Sequence, residues 1–237
     1  MLTALLVGLT VSGAPANPIS NMTGGRDLAA VVSALSDSTP APFGTKAIPT
    51  RSRNDAPQWK AVLARMPQSG GALADCPGGS CSGSSQALWQ QLLHAAGGAT
   101  TLRQLQLVNS FLNRWPYRRD SELYGSSDRW ATPAEFLVRS GDCEDFAIAK
   151  YFALRALGVP AETMRVVAVE DQIQGQHHAV LTVALGTETL VLDSRSNLIL
   201  PDRRYRHYRP LFSVNETGHW LHLDRRSSDA LETAAGS

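Results

Sequence analysis

The chain has 237 residues, with 22 basic and 21 acidic side chains and a formal net charge of +1. That length allows one large domain, alone or with an arm, and a core that needs no metal or disulfide scaffold to hold it. The near-zero charge excludes a general nucleic-acid binder, which needs a basic face to displace phosphate counterions.

Residues 2 to 11, LTALLVGLTV, are apolar and uncharged, and an Ala-Pro-Ala follows at 14 to 16. The run is too short to span a bilayer and has the form of a secretory signal, without the usual preceding basic residues. A signal-like segment is therefore expected over 1–16. The stretch that follows is rich in Ser, Thr, Pro, Ala and Gly. It predicts a flexible or poorly structured arm over 17–75, with one short helix near 26–35. The segment CPGGSCSGSS is a turn-rich loop in which Cys76 and Cys81 can close a small disulfide if the protein is exported. Two unpaired thiols are the alternative. Zinc would need further ligands, of which His94 is the nearest.

From residue 76 to 237 the pattern is that of one domain. QALWQQLLHAAGG places Leu88, Trp89, Leu92 and Leu93 on one helical face and ends in a glycine stop. A second helix fits 101–114, with Leu102, Leu105, Val108, Phe111 and Leu112 at helical spacing. YRRDSELYGSSDRW reads as polar and turn-like. Thr132-Pro133-Ala134-Glu135 is a capping box with proline at the first helical position. A further helix begins at about Asp142 and stops at Gly158. Strand-like runs follow at 164–169, 178–185 and 189–193, with a hairpin turn at Gly186-Thr187. RPLFSVN and WLHL supply further strands. Helices first and an antiparallel sheet second make an α+β layout.

Cys143 falls in the first turn of its helix, where free backbone N–H groups and the helix dipole favour a thiolate. A histidine can take the thiol proton, and His178 stands at the start of a strand, with His177 as a neighbouring competitor. Asp193, ending the next strand, is placed to orient the imidazole. Cysteine on a helix start with His and Asp on adjacent strands is the papain-like arrangement for nucleophilic catalysis. It needs no organic cofactor. Each member alone is more often core packing or a turn former; the set and its order carry the reading.

WATPAEFLVRSGDCEDFAIAKYFALRALGVP, followed by HHAVL and VLDS, resembles the bacterial transglutaminase-like cysteine peptidases. The likeness runs from about Leu88 to about Leu223, and GDCEDFAIAKY is its most specific block. The resemblance implies a papain-like or transglutaminase-like core, with N-terminal helices packed on an antiparallel sheet. It implies Cys143 as nucleophile, His178 as base and later acid, and Asp193 as orienting group. It also implies calcium, with Asp142, Glu144 and Asp145 as ligands and Asp128 as a further candidate. Without the resemblance, acidic residues here would simply favour the helix dipole. Two departures stand out: Ser194 where the family often has Asn, and Ala179 where it often has Met.

The adhesin-releasing members of the family imply a periplasmic endopeptidase. Its substrate would be the N-terminal region of a surface adhesin, cut at a double-alanine site to control biofilm attachment. An inner-membrane cyclic di-GMP receptor would be its partner. Transglutaminase-like acyl transfer with the same triad, or a non-catalytic calcium- or receptor-binding module, are the alternatives. The tail Thr233-Ala234-Ala235-Gly236 itself has the form of such a cleavage site.

Overall fold

The computed structural model describes residues 41–50, 56–66, 83–125 and 128–224. The signal-like segment, the helix expected near 26–35, the Cys76–Cys81 pair and the tail at 233–236 lie outside them. A 3-10 turn (Pro42–Gly44) leads into strand β1 (Lys46–Pro49). Six helices follow: α1 (Pro57–Arg65), α2 (Gly83–Ala96), α3 (Thr101–Leu112), the single turn α4 (Asp120–Leu123), α5 (Pro133–Arg139) and α6 (Cys143–Ala156). Strands β2 (Met164–Asp171), β3 (Gln176–Leu185), β4 (Glu188–Asp193), β5 (Ser196–Pro201), β6 (Tyr208–Asn215) and β7 (Gly218–Leu223) complete it. Seven antiparallel strands form one sheet in the order β1-β7-β6-β2-β3-β4-β5. The fold is α+β, helices on an antiparallel sheet.

The helices form because their apolar residues meet one face of that sheet. Trp89 and Leu92 of α2, Leu105, Val108 and Leu112 of α3, and Phe136 of α5 join α6 and alternate residues of β2, β3 and β4 in one cluster. Helix α6 is wrapped on all sides: every residue from Asp145 to Leu154 is buried. Val167, Val169, Val180, Val191 and Tyr208 form a second cluster on the opposite face, as the two-residue period of a strand requires. Leu88 and Leu102, expected on the inner faces of α2 and α3, are instead 37% and 44% exposed. Each sits at the margin of its apolar stripe.

The expected arm requires correction. Residues 46–49 are not loose but pair with β7, and Thr45 Oγ1 hydrogen-bonds His222 Nδ1 at 2.8 Å. Trp59 stacks on Phe152 at 5.7 Å, meets Tyr151 edge-on at 5.4 Å, and donates from Nε1 to the Asn215 carbonyl at 2.9 Å. Two buried residues in α1, Trp59 and Val62, carry this docking, too few to produce a periodic signal within a Ser- and Pro-rich background. Burial of an indole is worth several ordinary contacts, roughly 3–5 kcal/mol for truncation to alanine.

Candidate functional site

The entry to α6 is built by three short-range devices. Ser140 takes a left-handed φ of 68°, a conformation that costs a non-glycine residue about 1–3 kcal/mol, and its hydroxyl donates to the Pro116 carbonyl. Gly141 then passes directly over Asp145, where any side chain would collide with that carboxylate. Asp145 in turn accepts from the backbone N–H of Ala131 at 2.6 Å and of Asp142 at 3.3 Å. The capping box foreseen at Thr132 is present and starts α5 just before. Cys143 thus occupies the first position of a helix whose start is anchored from two directions.

His178 and Asp193 meet in the sheet. Leu181 pairs with Leu192, so continuing the register places His178 diagonally across from Asp193 on the same face. His178 Nε2 and Asp193 Oδ1 are 2.9 Å apart, and both side chains are almost fully buried. The competitor His177 points the other way and is exposed. Asp193 Oδ1 also accepts from the Arg195 backbone N–H at 3.0 Å, and Tyr208 donates to Oδ2 at 2.8 Å. Burial alone would raise the Asp193 carboxyl, but the hydrogen bond and charge of His178, with these two donors, hold it at about 2. Behind it, Arg195 pairs with the buried Asp171 at 2.6 Å. Asn113, the residue that caps the end of α3, donates to the Asp193 carbonyl at 3.0 Å and fixes the turn between β4 and β5. The backbone N–H of Ala179, next to His178, is near enough to the Cys143 thiol to favour its ionised form, so the helix start lies against this strand.

The opposite side of Cys143 is acidic. Among the described residues, Asp120, Asp142 and Glu144 form one group whose carboxylate oxygens lie within 4.8 Å of one another. Asp120 was not visible as a ligand candidate. It lies 22 positions before Asp142, on the single turn α4, and only the tertiary fold brings it in: its N–H donates to Asp142 Oδ2 at 3.4 Å. Asp145, expected in the same set, lies outside this group: each of its oxygens accepts a backbone N–H at the helix start, so it caps α6. Asp128 accepts from Gln58 and from the Trp130 indole and also stands outside it.

Electrostatics also reverse an expectation. The helix start predicts a lowered thiol pKa, yet burial, then the Glu144 and Asp142 carboxylates, push Cys143 well above its ordinary value. Its thiol donates to Glu144 Oε2 at 3.2 Å. A helix dipole contributes about 0.3–1 kcal/mol at its terminus and is outweighed by desolvation with two nearby carboxylates. Asp142 is itself pushed up to about 8, by burial and then by Glu144. One buried oxygen of Asp120 and one of Asp142 have no hydrogen-bond partner. Unpaired carboxylate oxygens in a like-charged group are the donor set that a hard cation such as calcium satisfies.

Comparison with known proteins places this geometry. Residues 80–228 match the model of the bacterial transglutaminase-like cysteine proteinase BTLCP family. The chain belongs to that family. It is a cysteine peptidase with a transglutaminase-like fold. Legionella pneumophila LapG is 35% identical over 66% of this chain and 90% of its own, with a TM-score of 0.54. Its calcium-bound form is 34% identical over 65% of this chain and 93% of its own, also at 0.54. The EGTA-treated form is 31% identical over 79% and 99%, with a TM-score of 0.53. No match is found among curated proteins.

Proposed function

We propose that the protein is a calcium-dependent periplasmic endopeptidase in which Cys143, His178 and Asp193 form the catalytic triad. The observation that carries the triad is the buried 2.9 Å contact of His178 Nε2 with Asp193, one residue from Ala179, whose backbone N–H interacts with the Cys143 thiol at its helix start. That contact commits Nε2 to the carboxylate and leaves Nδ1 to exchange the Cys143 proton.

In the reaction, Nδ1 takes the proton from Sγ as sulfur bonds to the scissile carbonyl carbon and the carbonyl π pair moves to oxygen. Collapse of this intermediate breaks the C–N bond, and the imidazolium returns its proton to the departing amine. The thioester left on Cys143 is then attacked by water, whose proton passes to Nδ1, and the C–S bond breaks. Asp193 stays ionised throughout, held low by its donors, and stabilises the imidazolium in each half. The Cys143 N–H, at the first helical position and without an intrahelical partner, is one donor for the oxyanion.

Asp120, Asp142 and Glu144 would hold calcium, which would supply positive charge beside the thiol that those carboxylates otherwise keep protonated. The calcium-bound and EGTA-treated LapG structures support this reading. The likeness to LapG and the signal-like start of the chain support export and a surface adhesin as substrate, cut between paired alanines under control of a cyclic di-GMP receptor. The test is incubation with a recombinant adhesin N-terminal fragment containing a double alanine, in calcium. Wild type is expected to produce one new N-terminus and Cys143→Ala none. Cleavage by Cys143→Ala at the same rate would refute the assignment.

A further inference from the structure

An acyl-transfer site needs more than one donor at the oxyanion, and only the Cys143 N–H follows from the helix geometry. A second candidate comes from a segment that reads in sequence as an unremarkable polar turn. Residues 116–118 are zippered to the chain just ahead of Cys143. Tyr117 bridges Gly141 in parallel fashion, Arg118 N–H donates to the Gly141 carbonyl at 2.8 Å, and Ser140 Oγ donates to the Pro116 carbonyl. This registers Tyr117 against Gly141, two positions before the cysteine. The Tyr117 hydroxyl lies within interaction range of the Cys143 side chain. Tyr117 is 56% exposed, so part of its side chain faces the solvent from which a substrate must arrive.

We propose that Tyr117 is a further catalytic residue, its phenolic O–H donating to the oxyanion that forms when Cys143 adds to the substrate carbonyl. The inference rests on Cys143 being the nucleophile. As the C–S bond forms, the carbonyl π pair becomes the oxyanion lone pair. The hydroxyl then turns from sulfur, which has lost its charge to carbon, to that oxygen. No proton leaves Tyr117. Burial, followed by the charges of Cys143, Asp142 and Glu144, raises its pKa, so it remains a donor across the working range. Tyr117 shares the oxyanion with the Cys143 N–H, while the Ala179 N–H stays on sulfur.

The discriminating experiment compares two reactions of one thiol. Iodoacetamide alkylates Cys143 by displacement at a saturated carbon and makes no oxyanion. A peptide aldehyde, acetyl-Ala-Ala-alaninal, adds Cys143 to a carbonyl and makes one. Alkylation is read by mass spectrometry on the peptide containing Cys143, in calcium, with increasing aldehyde as protectant. Tyr117→Phe should alkylate within about threefold of wild type. It should need about 10²-fold more aldehyde for protection, the scale of losing one oxyanion donor. Its melting temperature and its calcium-induced rise should match wild type. Equal protection of wild type and Tyr117→Phe would overturn the role of Tyr117 and leave the nucleophile intact. A parallel loss of alkylation and protection, with a lower melting temperature, would overturn it in favour of a packing role. Failure of the aldehyde to protect wild type at all would instead overturn the underlying reading of Cys143.

Discussion

The site contains two aspartates of opposite fate. Asp193 is buried but surrounded by donors, the His178 ring, the Arg195 N–H and the Tyr208 hydroxyl, and its carboxyl is held at about 2. Asp142 is less buried yet faces carboxylates, and it is pushed up to about 8. Burial acts in the same direction on both. The sign of the outcome is decided by what else is near, three donors in one case and two like charges in the other. The half of the site around His178 is thus finished by the chain itself; on the function proposed above, the half around Asp142 is completed by a cation.

The largest expected effect breaks the finished half. Asp193→Asn keeps the shape but offers the wrong partner to His178, and should cost about 10³–10⁴-fold in kcat for adhesin-fragment cleavage, as loss of the orienting carboxylate does in such triads. A loss under tenfold would show that His178 is oriented by other groups.

The unfinished half should respond to cation. Saturating calcium at about 100 times its Kd should stabilise wild type by about 2.7 kcal/mol in chemical denaturation. Asp120→Asn, which touches neither the sulfur nor the imidazole, should lose most of that gain. An unchanged calcium response would remove Asp120 from the ligand set.

The two aspartates also predict opposite pH behaviour. Asp193 has a folded pKa below its unfolded one, so its contribution is present above about pH 4 and is lost as pH falls toward 2. Asp142 has a folded pKa above its unfolded one. The folded state therefore binds the extra proton between about pH 4 and 8, and stability falls as pH rises through that window. In chelator, melting curves of Asp142→Asn should decline less than those of wild type from pH 5 to 8; in calcium the difference should shrink. Identical slopes for the two proteins in chelator would contradict the assignment.

The smallest effect lies behind Asp193. Tyr208→Phe removes one of its donors, and a hydrogen bond to a charged group is worth about 1.5–3 kcal/mol. The Arg195 N–H and His178 remain, so the variant should fold, with a kcat reduced about tenfold and KM unchanged.

Much of this architecture is legible in the amino-acid order because it rests on local rules. The capping box at Thr132, the buried face of α3, the alternating strands β2 to β4 and the Cys143, His178 and Asp193 positions all follow from spacing. What escapes is set by contacts between distant segments. Phe43 packs edge-on against Tyr208 from a stretch that reads as arm, and Asn109 of α3 and its C-cap Asn113 reach to the turn after Asp193. Strand β5 is an edge whose Leu198 is 67% exposed, so it has no buried face to produce alternation. Asp120 and Tyr117 lie in a polar run where no period marks them. The raised thiol pKa escapes for a related reason: the helix start is visible in sequence, but the crowding of carboxylates around it is tertiary.

The central claim is that the acidic half restrains Cys143 until a cation occupies it. The direct measurement is the iodoacetamide rate at the Cys143 peptide at pH 7, in calcium and in chelator. The account predicts at least about tenfold faster labelling in calcium, the change that a shift of one pKa unit gives a largely protonated thiol. Equal rates in the two buffers, with calcium binding demonstrated by its stabilisation of the fold, would contradict it.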